Sequence, residues 1–205
     1  MNTRLLKTIM ALSLLTLILP GAVLASNGPT DQLRPALNSL TAILANPELK
    51  GDANKSERRA RIMESIRTGF DFREMSKRIL GRSWNDISDA EKDHFTELMT
   101  KLLENVYVGK LEGYSGQTVG YVDERIKGDR AQVSTLIEDS GIKIPVHYIM
   151  TLTGEKWMVY DINIEGVSLV RNYKEQFRSI LRTEKFDGLI KVLEQKNASF
   201  ESQSG

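Results

Sequence analysis

The sequence predicts an α+β domain: a curved antiparallel meander of four strands or slightly more, packed with surrounding helices and enclosing an apolar cavity. Three observations predict it. From Thr30 to Leu111 apolar residues recur every three or four positions. From Gln117 to Ile164 the period switches to two, interrupted only by short Gly-bearing turns. After Gly166 the three-and-four rhythm returns. Helices, then consecutive short-linked strands, then helices is the order of an α+β layer architecture.

The first predicted helix spans Thr30–Asn46, with Leu33, Leu37, Leu40 and Leu44 on one face, Pro35 near its first turn and Pro47 ending it. A second runs from Ser56, read as its N-cap, to Thr68 or Gly69, and shows a basic side of Arg58, Arg59, Arg61 and Arg67. A solvated face explains that cluster more simply than a docking surface for anionic lipid or an acidic partner. Phe70-Asp71-Phe72 opens a short helix ending at Gly81, and Trp84 follows in a loop. Ser88 and Glu91 form a capping box. The helix they open carries Phe95, Leu98, Met99, Leu102, Leu103, Val106, Tyr107 and Leu111 along one stripe and stops at Gly113.

Four strands follow: Val119–Lys127, Arg130–Glu138, Ile142–Thr153 and Lys156–Ile164, joined at Gly128-Asp129, Asp139-Ser140-Gly141 and Gly154-Glu155. Strict alternation puts Ile142, Ile144, Val146, Tyr148, Met150 and Leu152 on one face of the third. It puts Met158, Tyr160, Ile162 and Ile164 on one face of the fourth, with Trp157 and Val159 opposite. A helix bearing Leu169, Val170, Tyr173, Phe177, Ile180 and Leu181 comes next, then a last one over Phe186–Gln195. Asn197–Gly205 is polar and expected to fray.

Arg4 and Lys7 precede an apolar run, Ile9–Leu19, that Pro20-Gly21 breaks before Val23-Leu24-Ala25. This is the pattern of a secretory signal cleaved near Ala25, and the run is short of the ~20 residues a spanning helix needs. The expected organisation is a signal over residues 1–25, one domain over 26–200 and a disordered tail over 201–205. Without Arg4 and Lys7 the chain is close to neutral, unlike a nucleic-acid binder. An exported chain with no Cys relies on packing rather than disulfides, which suits a bacterial periplasm.

Chemistry is sparse. His94 and His147 are the two histidines and there is no cysteine, so no zinc set is expected. Neither a dinucleotide nor a nucleoside-triphosphate glycine loop occurs. Asn197-Ala198-Ser199 matches a glycosylation acceptor only weakly. Asp161, between Tyr160 and Ile162 on an apolar strand, is the one candidate general base, since burial raises a carboxyl pKa and cone-shaped α+β folds host isomerases of that kind. No second acid or oxyanion donor accompanies it, and a structural Asp bonded to a neighbouring element is the better reading.

The stretch Trp157…Val159-Tyr160-Asp161…Gly166-Val167-Ser168-Leu169…Asn172-Tyr173…Gln176-Phe177, together with Phe70-Asp71-Phe72…Met75-Ser76…Leu80-Gly81…Trp84 and Leu102-Leu103…Tyr107…Leu111…Tyr114, resembles the MlaC family of periplasmic phospholipid-binding proteins. The resemblance spans Asp31 to Leu193, and Lys174 stands where many members carry Arg. It implies a soluble, non-enzymatic and monomeric shuttle that uses no cofactor. Its cargo is phospholipid, exchanged between an outer-membrane lipoprotein complex and an inner-membrane ABC transporter with an MCE-type subunit. Acyl chains would lie between the sheet and the helices. The residues expected to line that cavity are Phe72, Met75, Ile79, Leu102, Tyr107, Val133, Tyr148, Met150, Tyr160, Ile162, Val170, Tyr173 and Phe177, with Arg171 and Lys174 as possible head-group contacts. An exported enzyme using Asp161, and a solid-cored adaptor or chaperone, are the alternatives.

Overall fold

The computed structural model describes residues 28–111, 114, 116–139 and 141–204. The expected signal segment, the helix stop at Gly113, Ser140 of one turn and Gly205 lie outside the described residues.

Helix α1 (Pro29–Ala45) leads through two single 3-10 turns to α2 (Lys55–Gly69) and α3 (Phe72–Leu80). A 3-10 segment (Gly81–Asp86) joins α3 to α4 (Asp89–Leu103), which continues as a π-helical stretch (Glu104–Val108) and a last turn, α5 (Gly109–Leu111). Strands β1 (Thr118–Lys127), β2 (Arg130–Asp139), β3 (Ile142–Thr153), β4 (Lys156–Ile164) and β5 (Val167–Ser168) form one open antiparallel sheet in sequence order. Helices α6 (Leu169–Thr183) and α7 (Lys185–Ser204) complete the described chain.

The α+β meander and its four long strands agree with the sequence reading; the differences are local. Asn54, not Ser56, sits at the N-cap of α2, because the preceding 3-10 turn runs directly into the helix. Trp84 lies in a helical turn rather than a loop, buried beneath Arg73 and Lys92. The capping box of Ser88 and Glu91 is present, but the helix it starts does not stay regular. Its π stretch turns Val106 and Tyr107 to one core and Val108 to another. The extra residue in that turn lets one helix serve two cores. The tail does not fray after Gln195. Asn197 is buried, its amide donating to the Leu98 carbonyl at 3.0 Å, and α7 runs on to Ser204.

The fourth strand holds the main surprise. Ile149 faces Asp161 but Met150 faces Val159, so Tyr160 is an extra residue, a β-bulge. The bulge switches the alternation. Trp157, Val159, Ile162 and Ile164 all join the cluster facing α1, instead of dividing between two faces. Tyr160 and Asp161 are both turned to the helical body: Arg78 of α3 stacks over the Tyr160 ring, and Asp161 bonds to the start of α6. The fifth strand follows from Glu165-Gly166, whose φ values of 50° and 87° make the two-residue turn a type I′ hairpin. Two strand residues thus intervene before α6.

Three clusters result. Leu33 and Leu37 of α1 cover the sheet residues Ala131, Val133, Val146, Tyr148, Met150, Trp157 and Val159. Helices α3, α4, α6 and α7 make a second core around Phe95, Met99, Phe177, Leu189 and Leu193. Leu44, Ile62, Met63 and Val108 form a third where α1, α2 and the π stretch meet. The α1–α2 crossing is close: Ser65 donates to the Ala36 carbonyl at 3.1 Å, and Gly69 leaves room for the Ala36 methyl.

Gly188, in the first turn of α7, is required by the α6–α7 corner, because a Cβ there would overlap that of Glu184. Alanine is normally the better helix former by ~1 kcal/mol. Gly188→Ala is nevertheless expected to destabilise the fold by about 1–3 kcal/mol in a denaturant titration; a gain in stability would show that the corner relaxes freely.

Candidate apolar binding site

Helix α1 lies on the sheet and is pinned at its first turn. Its N-cap, Gly28, offers no side chain. Glu124 of β1 supplies the missing acceptor, taking the Thr30 N–H at 2.7 Å where the helix dipole favours negative charge. Gln32 bridges to β4, accepting from the Trp157 N–H at 2.8 Å and donating to the Glu155 carbonyl at 3.2 Å.

Further along α1 the contact with the sheet opens. A pocket of about 390 Å³ lies between Leu37, Leu40, Thr41 and Leu44 of α1, Leu111 and Tyr114 beyond the π stretch, and Gln117, Val119, Ile137, Ile144 and Tyr148 of the sheet side. Its walls are mostly apolar, seven aliphatic side chains and two tyrosines, with Thr41 and Gln117 the polar exceptions. A second concavity of about 610 Å³ lies between α2, the end of α4 and the end of α7. It is larger, but it is lined by Asp52, Lys55, Arg59, Lys101, Glu104, Asn105 and Glu201, and Arg59 is engaged by Glu104 and Asn105. The smaller pocket has the chemistry of an apolar ligand site.

Of the residues expected to line a cavity, Tyr148 lines this pocket. Val133, Met150 and Ile162 share its cluster on the α1 face of the sheet. Met75, Ile79, Leu102, Tyr173 and Phe177 are packed in the helical core, with Phe72, Tyr107 and Val170 against it. There the Tyr107 and Tyr173 phenols bond to one another. Tyr160 lies under Arg78. Arg171 and Lys174 are exposed on α6; Arg171 donates to the Gly166 carbonyl and Lys174 lies by Gly81. Leu37, Leu40, Leu44, Val119, Ile137 and Ile144, with Thr41, Leu111, Tyr114 and Gln117, also line the pocket, and the sequence did not single them out for this role. The leucine stripe of α1 was visible, but alternation alone does not tell a wall from a filled core.

Asp161 has a structural place. Its two carboxylate oxygens accept from the Ser168 hydroxyl at 2.6 Å and the Val170 N–H at 3.0 Å. Ser168 in turn caps α6, accepting from the Arg171 N–H. Both oxygens are engaged at a helix N-terminus. His94 and His147 pair with Glu194 and Ser134 on separate elements, and no metal-binding cluster occurs among the described residues. No helix among them is long and apolar enough to cross a membrane.

The MlaC protein family matches residues 35–195. A relative from Haemophilus influenzae, described as the intermembrane phospholipid transport system binding protein MlaC, is 21% identical over 194 residues, which is 92% of this chain and 91% of the relative. A solved structure, described as a phospholipid-binding protein from Ralstonia solanacearum in complex with a phospholipid, matches with a TM-score of 0.77 at 25% identity. That match covers 85% of this chain and 99% of the other.

Two predictions follow from the site's polar groups. Asp161→Ala is expected to lower stability by about 2–3 kcal/mol, and Asp161→Asn by less, because an amide oxygen still accepts from Val170; equal stability of Asp161→Ala and the parent in urea titration would remove Asp161 as the α6 anchor. Burial pushes the Tyr148 phenol up to about 12, the Thr135 hydroxyl opposing and the neighbouring Tyr121 adding. The unfolded chain ionises nearer 10, so this stabilisation is complete below pH ~10 and is lost as pH rises to ~12, roughly 2–3 kcal/mol in all. Tyr148→Phe should flatten that alkaline decline; an unchanged slope would contradict it.

Proposed function

The chain belongs to the MlaC family, and from that premise we propose that it is a phospholipid carrier of the intermembrane transport type and not an enzyme. The single observation that carries the reading is an aliphatic pocket held between α1 and the sheet in a fold matching a phospholipid complex along nearly its whole length. Membership of the family supports a periplasmic location and a role within a phospholipid transport system with transporter partners. The finer assignments are part of the same proposal: a signal cleaved near Ala25, and delivery between an outer-membrane lipoprotein complex and an MCE-type subunit of an inner-membrane ABC transporter.

The physical need for a container is plain. Each methylene sheltered from water is worth ~0.8 kcal/mol. Two acyl chains with about thirty methylenes therefore face on the order of 20 kcal/mol of exposure in passing through water. A carrier must offer shelter close to that of a bilayer and no deeper, or release would limit transfer. The pocket of about 390 Å³ lies near the lower end of the roughly 300–1,000 Å³ usual for ligand sites. It holds part of a lipid. The remaining tail volume is gained where α1 lifts from the sheet about its pinned first turn, which would bring Val133, Met150 and Ile162 into contact with the chains. Parting of the sheet from the helical core would add Phe72, Met75 and their neighbours.

Gently purified protein is expected to yield phospholipid on solvent extraction and mass spectrometry, or to take it up from vesicles; a preparation that does neither sinks the reading. Leu40→Trp or Ile144→Trp, which fill the pocket, and Tyr148→Trp are each expected to cut loading severalfold with an unchanged circular dichroism spectrum. Full loading in all three would move the tails elsewhere.

A further inference from the structure

The Tyr121 hydroxyl is buried and has no hydrogen-bond partner among the described residues, although its ring belongs to the cluster between α1 and the sheet. A buried donor left without an acceptor is costly, and native folds keep such groups where something else completes them. Tyr121 stands opposite Thr135 in the β1–β2 register, and both act on the ionisation of the neighbouring Tyr148 phenol. Tyr148 lines the apolar pocket. Three hydroxyl-bearing side chains therefore share the α1 face of the sheet, at the border of a mostly apolar space.

A cation lies over this border. Arg34 of α1 is exposed, its guanidinium carbon 4.0 Å from the centre of the Tyr121 ring. No carboxylate lies within ion-pair distance of it among the described residues. The nearby acids are otherwise placed: Glu124 takes the Thr30 N–H, Asp123 pairs with Arg125, and Asp31 is a turn earlier on the exposed side of α1. Leu37 and Thr41, one and two turns beyond Arg34, line the pocket, as does Val119, two residues before Tyr121 on β1. Arg34 and Tyr121 thus continue the pocket's two walls beyond its aliphatic lining. The ring holds the cation through its π face without accepting a conventional hydrogen bond, so the guanidinium N–H groups can serve an oxyanion.

We propose that Arg34 and Tyr121 form the polar end of the lipid site, Arg34 taking the phosphodiester and Tyr121 donating its hydroxyl to an acyl-ester carbonyl. The assignment rests on the carrier reading and adds to it where the head group sits and what the site recognises. Charge, ester and methylenes are met in the order in which a phospholipid carries them: exposed cation, half-buried phenol, aliphatic pocket. The head group is thereby placed at the α1–β1 edge and away from Arg171 and Lys174 of α6.

The test loads wild type, Arg34→Gln and Tyr121→Phe from vesicles containing dioleoyl phosphatidylglycerol, its diether analogue or dioleoylglycerol. Arg34→Gln is expected to weaken retention of the phospholipid about tenfold and leave dioleoylglycerol unchanged. Tyr121→Phe is expected to weaken the diester phospholipid about tenfold relative to the diether. It should leave the thermal midpoint of lipid-free protein unchanged or raised, because it removes an unsatisfied hydroxyl. Equal loss of all ligands in Arg34→Gln, or a wild-type diester-to-diether ratio in Tyr121→Phe, overturns the assignment and leaves the carrier reading standing; the second result would mean that the hydroxyl holds water only. A wild type that retains none of the three overturns both.

Discussion

One buried carboxylate holds the sheet to the helical body. Asp161 carries the Ser168 hydroxyl on one oxygen and the Val170 N–H on the other, so the direction of α6 is tied to β4 at its first turn. The Tyr160 bulge makes this possible by turning Asp161 away from the face that α1 covers. On the same strand the Val159 carbonyl accepts from the Asp71 N–H at 2.8 Å, and Asp71 caps α3. Two helices of the second core therefore start from positions set by β4. Tyr173 and Phe177, one and two turns into α6, then meet Met75 and Ile79 of α3. A negative charge at a helix N-terminus, doubly hydrogen-bonded and shielded from water, suits that post on electrostatic grounds.

Because the helical body has its own filled core, the sheet has to find another cover for its opposite face, and α1 provides it. That cover is uneven. Its first turn is clamped by Glu124 and by the Gln32 bridge to Trp157 and Glu155, while its second half stands off the sheet and leaves the aliphatic pocket. A site built this way binds by area rather than by pattern. Leucine, isoleucine and valine walls shelter methylenes whatever their number, and discrimination is left to polar groups at the rim. Such a site fits a cargo that is mostly hydrocarbon and must be given up again.

The many cations of α2, α3 and α6 are dispersed by pairing. Arg59 meets Glu104, Arg61 meets Glu57, Arg78 meets Glu74 and Arg178 meets Glu175. The exposed pairs, Arg61 with Glu57 and Arg178 with Glu175, add little stability but offset the local positive charge. Arg34 differs in having no carboxylate within ion-pair distance among the described residues, and it rests on the Tyr121 ring beside the pocket.

Much of the fold was legible in the sequence. The switch of hydrophobic period and the glycine turns determined the order of helices and strands, the Ser88–Glu91 box determined a helix start, and the residues from Trp157 to Phe177 marked the family. Those signals are local, each set by neighbours within a few residues. The site was less legible for a physical reason. A one-residue bulge at Tyr160 reverses the faces of a strand without any change of composition, so strict alternation sent Trp157 and Val159 to the opposite side from Ile162 and Ile164. A π turn likewise divides Tyr107 and Val108 between two cores. Whether an apolar residue lines a space or fills one depends on how two elements meet across the molecule. That meeting, between the second half of α1 and the first three strands, is decided by the clamp at Glu124 and Gln32, whose partners lie roughly a hundred residues apart in the chain and are brought together only by the tertiary fold.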